Sequence, residues 1–308
     1  MLVIAAKSGQ LGNRLLLFAH YIAFARENNL WLLNPAFDEY AEYFQATAND
    51  LFCAYPPPPL KIKGNRWLRI KYYQFNRYLA ESKLFKLIDI TREKPFNWSD
   101  SKVTEQVKAN SIAFMQGWLL RDGWFVQDLA NLRKHREAIR EYFKPLEKYR
   151  QNVDKLISTM RRNDADILIG IHIRQGDYQQ HQNGRYFYQS EDYVKVMASV
   201  KQLFADKKVK ILICYNAKQD QKLLAQFDYY FGNNQIIEDM YSLAECDYIM
   251  GPPSSYTMWA SFYGDKPLYM IRDLNKTPNL NDFVRFYEWQ GTFHYREDWS
   301  QSYWEWTH

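Results

Sequence analysis

Short apolar runs alternate along the chain with longer stretches in which apolar residues recur at helical spacing. The clearest run, ILIGIHI over 167–173, is apolar almost without interruption, which is typical of a strand covered on both faces in a parallel sheet. Further strands are predicted over 2–6, 30–33, 111–117, 209–214, 235–237, 248–250 and 267–271. Helices are predicted between them, over 14–28, 132–160, 191–205, 218–229, 240–245 and 256–263. This alternation predicts an α/β fold with doubly wound parallel sheets.

The length of 308 residues suffices for two ordinary domains. The long helical connection over 132–160, broken at Lys144–Pro145, leads into the strand at 167 and marks the boundary between two halves. We predict a first domain over 1–155 and a second over 156–274. The remaining tail, 275–308, is aromatic and acidic, and we predict that it packs back on the first domain.

Composition excludes several classes of protein. The chain is 47% apolar and 24% charged, which is typical of a globular protein. Cys53, Cys214 and Cys246 are scattered without CxxC spacing, so neither a disulfide framework nor a zinc site is predicted. No signal peptide is apparent, and no run of about 18 apolar residues indicates a membrane span. We therefore predict a bacterial-type cytoplasmic protein in a reducing compartment.

The formal net charge of +5 suggests an anionic ligand, whereas no nucleic-acid reading motif appears. Residues 61–86 are basic and aromatic, with a single acid, Glu81. This segment allows three interpretations: a solvated helix face over a core stripe, a surface for an anionic acceptor or a membrane, and a stacking surface for single-stranded nucleic acid. We predict no nucleic-acid partner and keep peripheral membrane contact through 61–86 open.

Polar side chains follow several predicted strands, where ligands bind in open α/β sheets. His172 and Arg174 end the central strand, and Arg174 offers a planar fork of donors suited to a diphosphate. Ser254 and Ser255 precede a predicted helix, where hydroxyls, N–H groups and the helix dipole converge on an anion. Asp239 follows the predicted strand at 235–237, and its two carboxylate oxygens match the N1–H and N2–H donors of guanine.

Each of these residues also has an ordinary structural explanation. The two serines can simply cap a helix, Asp239 can cap the turn at 240, and His172 can be a satisfied core histidine. The loop KSGQLGN over 7–13, which contains Gly12 and Asn13, can be a tight turn before a helix instead of a ligand-binding loop. Their joint occurrence at strand ends favours a nucleotide-diphosphate site.

Three blocks of sequence resemble a known family. LGNR at 11–14, YFKP at 142–145 followed by IHIRQGDY at 171–178, and the block over 238–264 that contains the two serines are similar to the α-1,2-fucosyltransferases of glycosyltransferase family 11. The last block also resembles the α-1,6- and protein O-fucosyltransferases. The resemblance implies a GT-B architecture: two Rossmann-like doubly wound parallel-sheet domains with the active site in the cleft between them. The first domain, 1–155, would then bind the acceptor, and 156–274 would bind the nucleotide sugar.

The same resemblance implies roles for individual residues. Arg174 would neutralise the β-phosphate as GDP leaves, His172 would contact the nucleotide, and Asp239 would bind guanine. Ser254 and Ser255 would hold phosphate or ribose. Gly12 and Asn13 would approach the fucose and diphosphate from the other half.

The chain also departs from the family pattern. Gln175 replaces a second Arg, Arg14 replaces a Gln, and Pro252–Pro253 replaces the Asn-Ser start of the serine block. The general base is left open. Asp177 is the nearest carboxylate and would act as a structural or catalytic support, whereas the α-1,6 relatives place a Glu where this chain has Gln182.

The sequence therefore predicts an inverting, metal-independent glycosyltransferase that transfers fucose from GDP-fucose to a hydroxyl of a glycan acceptor. We expect an α-1,2 linkage and a surface-polysaccharide or oligosaccharide precursor as the acceptor, with no cofactor or metal ion. Two alternatives are a GT-B glycosyltransferase that uses another nucleotide sugar and a non-catalytic module that binds glycans or anions.

Overall fold

The structure, a computed structural model, describes residues 1–90, 98, 101–117, 120–121, 124–125, 128–162 and 164–288. It divides the chain into two compact units, one covering Met1–Leu146 and the other beginning at Glu147. The sequence places this boundary at 155. The chain remains with the first unit up to Leu146, because the N–H of Leu146 donates to the carbonyl of Tyr43 and the N–H of Gln45 donates to the carbonyl of Lys144.

The first unit contains a parallel sheet with the strand order β2-β1-β4-β3. Within the described residues its strands are β1 (Leu2–Ile4), β2 (Leu32–Leu33), β3 (Lys86–Asp89) and β4 (Ala113–Gln116); β5 (Leu120–Arg121) and β6 (Trp124–Phe125) form a separate antiparallel pair. Its helices are α1 (Leu11–Asn28), α2 (Arg66–Glu81), α3 (Ser101–Lys108), α4 (Leu129–Lys134) and α5 (Arg136–Tyr142). The predicted strands at 2–6, 30–33 and 111–117 correspond to β1, β2 and β4, whereas β3 was not predicted.

Aromatic rings form much of the core of this unit. Phe18 on α1 makes edge-to-face contacts with Phe37, Tyr142 and Phe143, with ring centroids 5.3–5.4 Å apart. Phe44 packs against the same group. Pairs of this geometry stabilise a core beyond the area that they bury. Aromatic residues make up 17% of the chain, and part of this content is therefore structural.

The second unit contains a larger sheet with the order β12-β11-β10-β7-β8-β9. Its described strands are β7 (Ile167–Ile173), β8 (Val209–Tyr215), β9 (Tyr229–Phe231), β10 (Tyr248–Gly251), β11 (Pro267–Met270) and β12 (Val284–Arg285). Its helices are α6 (Glu147–Arg161), α7 (Ser190–Gln202), α8 (Gln221–Leu224), α9 (Ile236–Glu245) and α10 (Ser255–Gly264). β7 lies between β10 and β8 and runs parallel to both. This confirms the prediction of a buried central strand at 167–173.

The prediction was wrong in two places between 218 and 245. Residues 235–237 are not a strand: Gln235 caps α9, and its side-chain oxygen accepts from the N–H groups of Ile237 and Glu238. Two acidic residues in the first turn, Glu238 and Asp239, suit the positive end of the helix dipole. In place of the predicted helix over 218–229, the chain forms the short α8 and then enters β9.

Residues 275–288 stay with the second unit, although the sequence assigns the tail from 275 onward to the first domain. Val284 pairs with Leu268 and Arg285 with Pro267, which adds β12 as an antiparallel edge strand. The rest of this predicted tail, 289–308, lies outside the described residues. Within the described ranges, no helix combines the length and the apolar character needed to cross a bilayer.

Helices α9 and α10 approach each other at backbone distance. A Cβ atom placed on Gly264 would lie 2.0 Å from the backbone oxygen of Ala244. Glycine is required here because any side chain would separate the two helices. The contact holds together the C-terminal ends of the two helices whose first turns carry Asp239 and Ser255.

Candidate active site

The carboxyl ends of three neighbouring parallel strands, β10, β7 and β8, define one edge of the second unit's sheet. This edge is where ligands bind in open α/β sheets. His172 is the sixth residue of β7, and Arg174 follows the strand. Ser254 follows β10 and Asn216 follows β8. The topology therefore brings these four side chains to one edge.

The guanidinium of Arg174 is held by three groups. Its Nε and Nη2 donate to the two carboxylate oxygens of Asp177, at 3.0 and 2.6 Å. Its Nη1 donates to the hydroxyl of Ser254 at 3.1 Å. The ring of Tyr178 lies beneath it, with the centroid 4.5 Å from Cζ. The side chain is 18% exposed, so a fixed positive charge partly faces solvent.

Ser254 also caps α10, and its hydroxyl accepts from the N–H of Tyr256 at 3.2 Å. Ser254 therefore caps a helix, as the structural explanation predicts, and also contacts the cation; its role in holding phosphate or ribose stays a prediction. The guanidinium lies next to the positive end of the helix dipole, a combination that attracts anions. Ser255 is partly exposed in the first turn.

Asp177 positions Arg174. Its bidentate pair with Arg174 lowers the pKa of its carboxyl. Asn216 adds a bond, because its Nδ2 donates to Asp177 Oδ1 at 3.3 Å. A carboxylate with a lowered pKa is a weak proton acceptor. The geometry therefore favours structural support for Arg174 over general-base catalysis by Asp177.

Asn216 organises the loop that carries Arg174, and sequence analysis missed it. Its side-chain oxygen accepts from the N–H groups of Gln175 at 2.8 Å and Gly176 at 3.2 Å. Gly176 has φ −42°, a value open to any residue. The glycine instead allows Asn216 to approach the backbone closely, because a Cβ on Gly176 would lie 3.2 Å from Asn216 Nδ2. Asn216 comes from another strand, so spacing in the sequence does not reveal it.

In the GDP-binding role that the resemblance implies, replacing Asn216 with alanine should weaken GDP binding about tenfold while shifting the unfolding midpoint only slightly. The released N–H groups are exposed and can bond to water, so stability changes little, but a net loss of about 1.4 kcal/mol in ordering Arg174 equals a factor of ten. Titration calorimetry with GDP and thermal unfolding measure the two effects. The control is Asn281→Ala, at an exposed asparagine in the short 3₁₀ helix before β12. Wild-type affinity in Asn216→Ala would contradict this role.

Gln175, which replaces the family's second Arg, points into the protein. Its Nε2 donates to the carbonyl of Tyr188 at 3.0 Å, and Gln219 Nε2 donates to its side-chain oxygen at 2.9 Å. Ser190 lies within 3.4 Å of the same Nε2. Gln175 therefore joins the start of α7 to the loop after β8 and does not add a second charge to the site.

His172 is buried and packs against Tyr256, with ring centroids 4.7 Å apart and the ring planes tilted by 33°. Burial lowers the pKa of His172 to about 3, with a further contribution from the charge of Arg174. The imidazole is therefore neutral at physiological pH. Within the described chain, its Nδ1 is buried without a hydrogen-bond partner, which is uncommon for a buried polar atom and leaves it available to a ligand.

Tyr256, the second residue missed by sequence analysis, connects His172 to the helix of Asp239. Its ring packs against His172, and its hydroxyl donates to the carbonyl of Ile236 at 2.8 Å. An aromatic residue in a helix gives no sequence signal of such a role. The structure thus links His172, α10 and the first turn of α9.

Asp239 is buried in the first turn of α9 and faces the loop after β9. A Cβ on Gly232 would lie 2.4 Å from Asp239 Oδ1. Burial raises the pKa of Asp239 to about 7, although the N–H groups of Asn234 and Asn233 oppose this shift. Among the described residues, Oδ1 has no hydrogen-bond partner. The N-cap of this helix is Gln235, so the explanation of Asp239 as a cap was wrong.

Gly12 and Asn13 belong to the first unit. They lie in the first turn of α1, because the helix begins at Leu11 and not after the loop as predicted. The turn itself depends on Gly9, which has φ +57°, and a Cβ there would lie 2.3 Å from Asn13 Nδ2. Gly12 is buried and Asn13 is exposed.

A charged network lies beside this turn. Arg14 donates to the carbonyl of Gly9 at 3.1 Å and pairs with Glu39 at 2.9 Å. Lys7 pairs with Asp38 and Glu39, each at 2.8 Å. Arg14, which replaces the family's Gln, therefore anchors the loop to the segment after β2.

No cluster of three or more His, Cys, Asp or Glu side chains suited to a metal ion occurs in the described part of the chain. Metal independence stays a prediction. The side chain of Gln182, at the position where the α-1,6 relatives place a Glu, lies outside what the structure describes.

Comparison with known proteins decides the family. The profile described as Glycosyl transferase family 11 matches residues 81–300. The chain belongs to glycosyl transferase family 11. It is therefore a glycosyltransferase, as the resemblance implied, and the alternative of a non-catalytic binding module is set aside. No curated protein sequence matches the chain.

Two solved structures show the fold of this family 11 member. A mutant of Arabidopsis thaliana FUT1 in complex with GDP is 15% identical, with a TM-score of 0.58 over 92% of this chain and 73% of that one. The fucosyltransferase NodZ from Bradyrhizobium is 16% identical, with a TM-score of 0.51 over 88% of this chain and 95% of that one. This likeness confirms the predicted GT-B fold with two Rossmann-like parallel-sheet domains.

Proposed function

We propose that this protein transfers fucose from GDP-fucose to a hydroxyl of a glycan acceptor, with inversion at the anomeric carbon and without a metal ion. The observation that carries the proposal is the bond between Arg174 and Ser254 at the N-terminus of α10. Membership of family 11 and similarity to a GDP complex of a plant protein support the choice of donor.

In the proposed reaction, the bond between the anomeric carbon and the β-phosphate oxygen breaks, and the acceptor oxygen attacks from the opposite face. Negative charge grows on the departing GDP. Arg174 lies preorganised between Asp177 and Ser254, so it can stabilise this charge without rearrangement. Stabilisation of this kind is usually the largest contribution to catalysis.

Recognition of the base is assigned to His172 and Asp239. Both are buried, and each has a polar atom without a hydrogen-bond partner among the described residues, Nδ1 and Oδ1 respectively. An ionised Asp239 accepts two parallel N–H bonds, which guanine offers and uracil does not. Ser255, partly exposed beside Ser254, is assigned to phosphate or ribose, and Gly12 and Asn13 to the fucose and diphosphate.

The acceptor proton requires no strong base in this proposal. Charge separation toward GDP precedes bond formation to the acceptor, so the hydroxyl becomes acidic late in the reaction and its proton then passes to solvent water. Asp177 serves as a positioning residue for Arg174. An α-1,2 linkage to a surface-polysaccharide or oligosaccharide precursor follows the resemblance to the family.

Incubation of the purified protein with GDP-fucose and an array of galactosides tests the proposal, with mass spectrometry of the products and parallel reactions in a metal chelator. We expect a fucosylated product whose anomeric configuration is opposite to that of the donor, at equal rates with and without chelator. Transfer from another nucleotide sugar but not from GDP-fucose would overturn the assignment of GDP-fucose as the donor. Loss of activity in chelator would overturn metal independence.

A further inference from the structure

Helix α2 presents to solvent a face that is rich in large apolar side chains. Trp67, Phe75 and Tyr78 are 65%, 58% and 69% exposed, and Ile70 is 36% exposed. Together with Lys71 and Gln74 they follow the spacing i, i+3, i+4, i+7, i+8 and i+11, which places them on one side of a helix. Exposed apolar residues scattered singly are ordinary, whereas a contiguous row of large ones indicates a binding surface.

The orientation of this face is fixed by the opposite side of α2. Arg69 is buried there, and its guanidinium donates to the carbonyls of Thr47, Ala48 and Asp50 at 2.8–3.0 Å. Ala80 is buried on the same face of the helix as Arg69. Since Arg69 locks the rotation of α2, the aromatic residues cannot turn inward without breaking three hydrogen bonds. The sequence-based alternative of a basic face over an aromatic core stripe was therefore wrong for Trp67, Phe75 and Tyr78.

Positive charge surrounds this apolar face. Lys63 and Arg66 at its N-terminal end and Lys71 within it are exposed. The single acid in 61–86 is Glu81, and its charge is taken up by Arg77 at 2.6 Å. The preceding segment adds exposed Leu60 and Ile62. This face combines Trp, Phe, Tyr and Ile with surrounding lysines and arginines. It complements a surface that has an anionic outer layer over an apolar interior.

We propose that the α2 face, defined by Trp67, Ile70, Lys71, Phe75 and Tyr78, binds the surface of an anionic lipid bilayer. Tyrosine and tryptophan rings lie at the boundary between headgroups and acyl chains, and an amphipathic helix binds parallel to that plane. Lys63, Arg66 and Lys71 pair with anionic headgroups. The surface charge favours this partner over a second copy of the chain, whose own α2 face would carry the same charge. The enzyme would then act on an acceptor held at the membrane.

Sedimentation of the full chain with vesicles tests this proposal without any donor or turnover. Vesicles of phosphatidylcholine alone are compared with vesicles that contain phosphatidylglycerol. We expect binding to the anionic vesicles that weakens as salt rises, since salt screens surface charge. The apolar variant Trp67→Gln/Phe75→Gln/Tyr78→Gln and the charge variant Lys63→Glu/Arg66→Glu/Lys71→Glu should each bind about tenfold or more weakly.

The charge control is Lys155→Glu/Lys207→Glu/Lys222→Glu, which makes the same change in net charge at exposed positions of the second unit. It should bind vesicles within about twofold of the wild type. All three variants should fucosylate a soluble acceptor at the wild-type rate, which separates this proposal from the donor assignment. The membrane proposal would be overturned if the wild type bound neutral and anionic vesicles equally, or if the control lost as much vesicle binding as the α2 variants. A concentration-dependent dimer that the α2 variants abolish would also overturn it.

Discussion

Replacing Arg174 with alanine is expected to lower kcat for fucosyl transfer by about 10²–10³-fold, the usual effect of removing one preorganised donor from a developing negative charge. The fold should survive, because Asp177 is half-exposed and its carboxylate can be hydrated when the ion pair is lost. Steady-state kinetics with GDP-fucose measure the change, and thermal unfolding checks the fold. The effect should fall mainly on kcat, since the charge on GDP grows during bond cleavage.

Arg174→Lys separates charge from geometry. A lysine keeps the positive charge but cannot bind Asp177 through two parallel bonds while donating to Ser254. We expect a kcat between those of the wild type and Arg174→Ala. Arg285→Ala is the matched control. Arg285 lies on the edge strand of the same sheet and is also paired with an aspartate, Asp265, at 3.1 Å. A folded Arg174→Ala enzyme with nearly normal kcat would remove the basis of the proposed mechanism.

Replacing Asp239 with asparagine is expected to weaken GDP binding about 10- to 100-fold while leaving UDP binding almost unchanged. Hydrogen bonds to a charged group contribute about 1.5–3 kcal/mol, and guanine alone offers both N–H donors. Titration calorimetry with the two nucleotides measures the difference. Glu245→Gln, an exposed substitution on the same helix, is the control. Equal losses for GDP and UDP would reject the assignment of guanine to Asp239.

The same substitution should stabilise the ligand-free protein at pH 8, because burial raises the pKa of Asp239 from 3.8 to about 7. Between these values the folded protein holds more protons than the unfolded chain, so the free energy of unfolding falls as pH rises. Above pH 7 the cost is fully present, on the order of 4 kcal/mol. Urea unfolding should therefore show a gain for Asp239→Asn at pH 8 that disappears near pH 4. A pH-independent difference would contradict this origin.

Sequence pattern predicted the second sheet well where a strand is continuous and apolar. β7 has the predicted bounds, and the strands on both sides of it were placed within one or two residues. The failures have a local cause. Ile236 and Ile237 are β-branched and suggest a strand, yet Gln235 and the acids that follow give stronger signals for a helix start. Strand β3 was hidden within a basic segment whose charge dominated its interpretation.

The sequence names site residues only where each carries a local signal. Arg174 and Asp177 lie in one loop, and Ser254 precedes a helix, so all three were found. Asn216 and Tyr256 act through tertiary contacts, which spacing along the chain cannot reveal. The direction of the aromatic residues on α2 was equally hidden, because it depends on where Arg69 finds its carbonyl partners.

The contact between Gly264 and Ala244 has a consequence for donor selection. With no side chain between the two backbones, the C-terminal ends of α9 and α10 stay in contact. The hydrogen bond from the Tyr256 hydroxyl to the carbonyl of Ile236 joins their N-terminal ends, so the carboxylate of one helix and the N-terminus of the other are held at one separation. In the proposed donor site, a nucleotide would span that length from its base at Asp239 to its terminal phosphate at Ser254. Shortened analogues, such as guanosine monophosphate, would satisfy one end and leave the other to water.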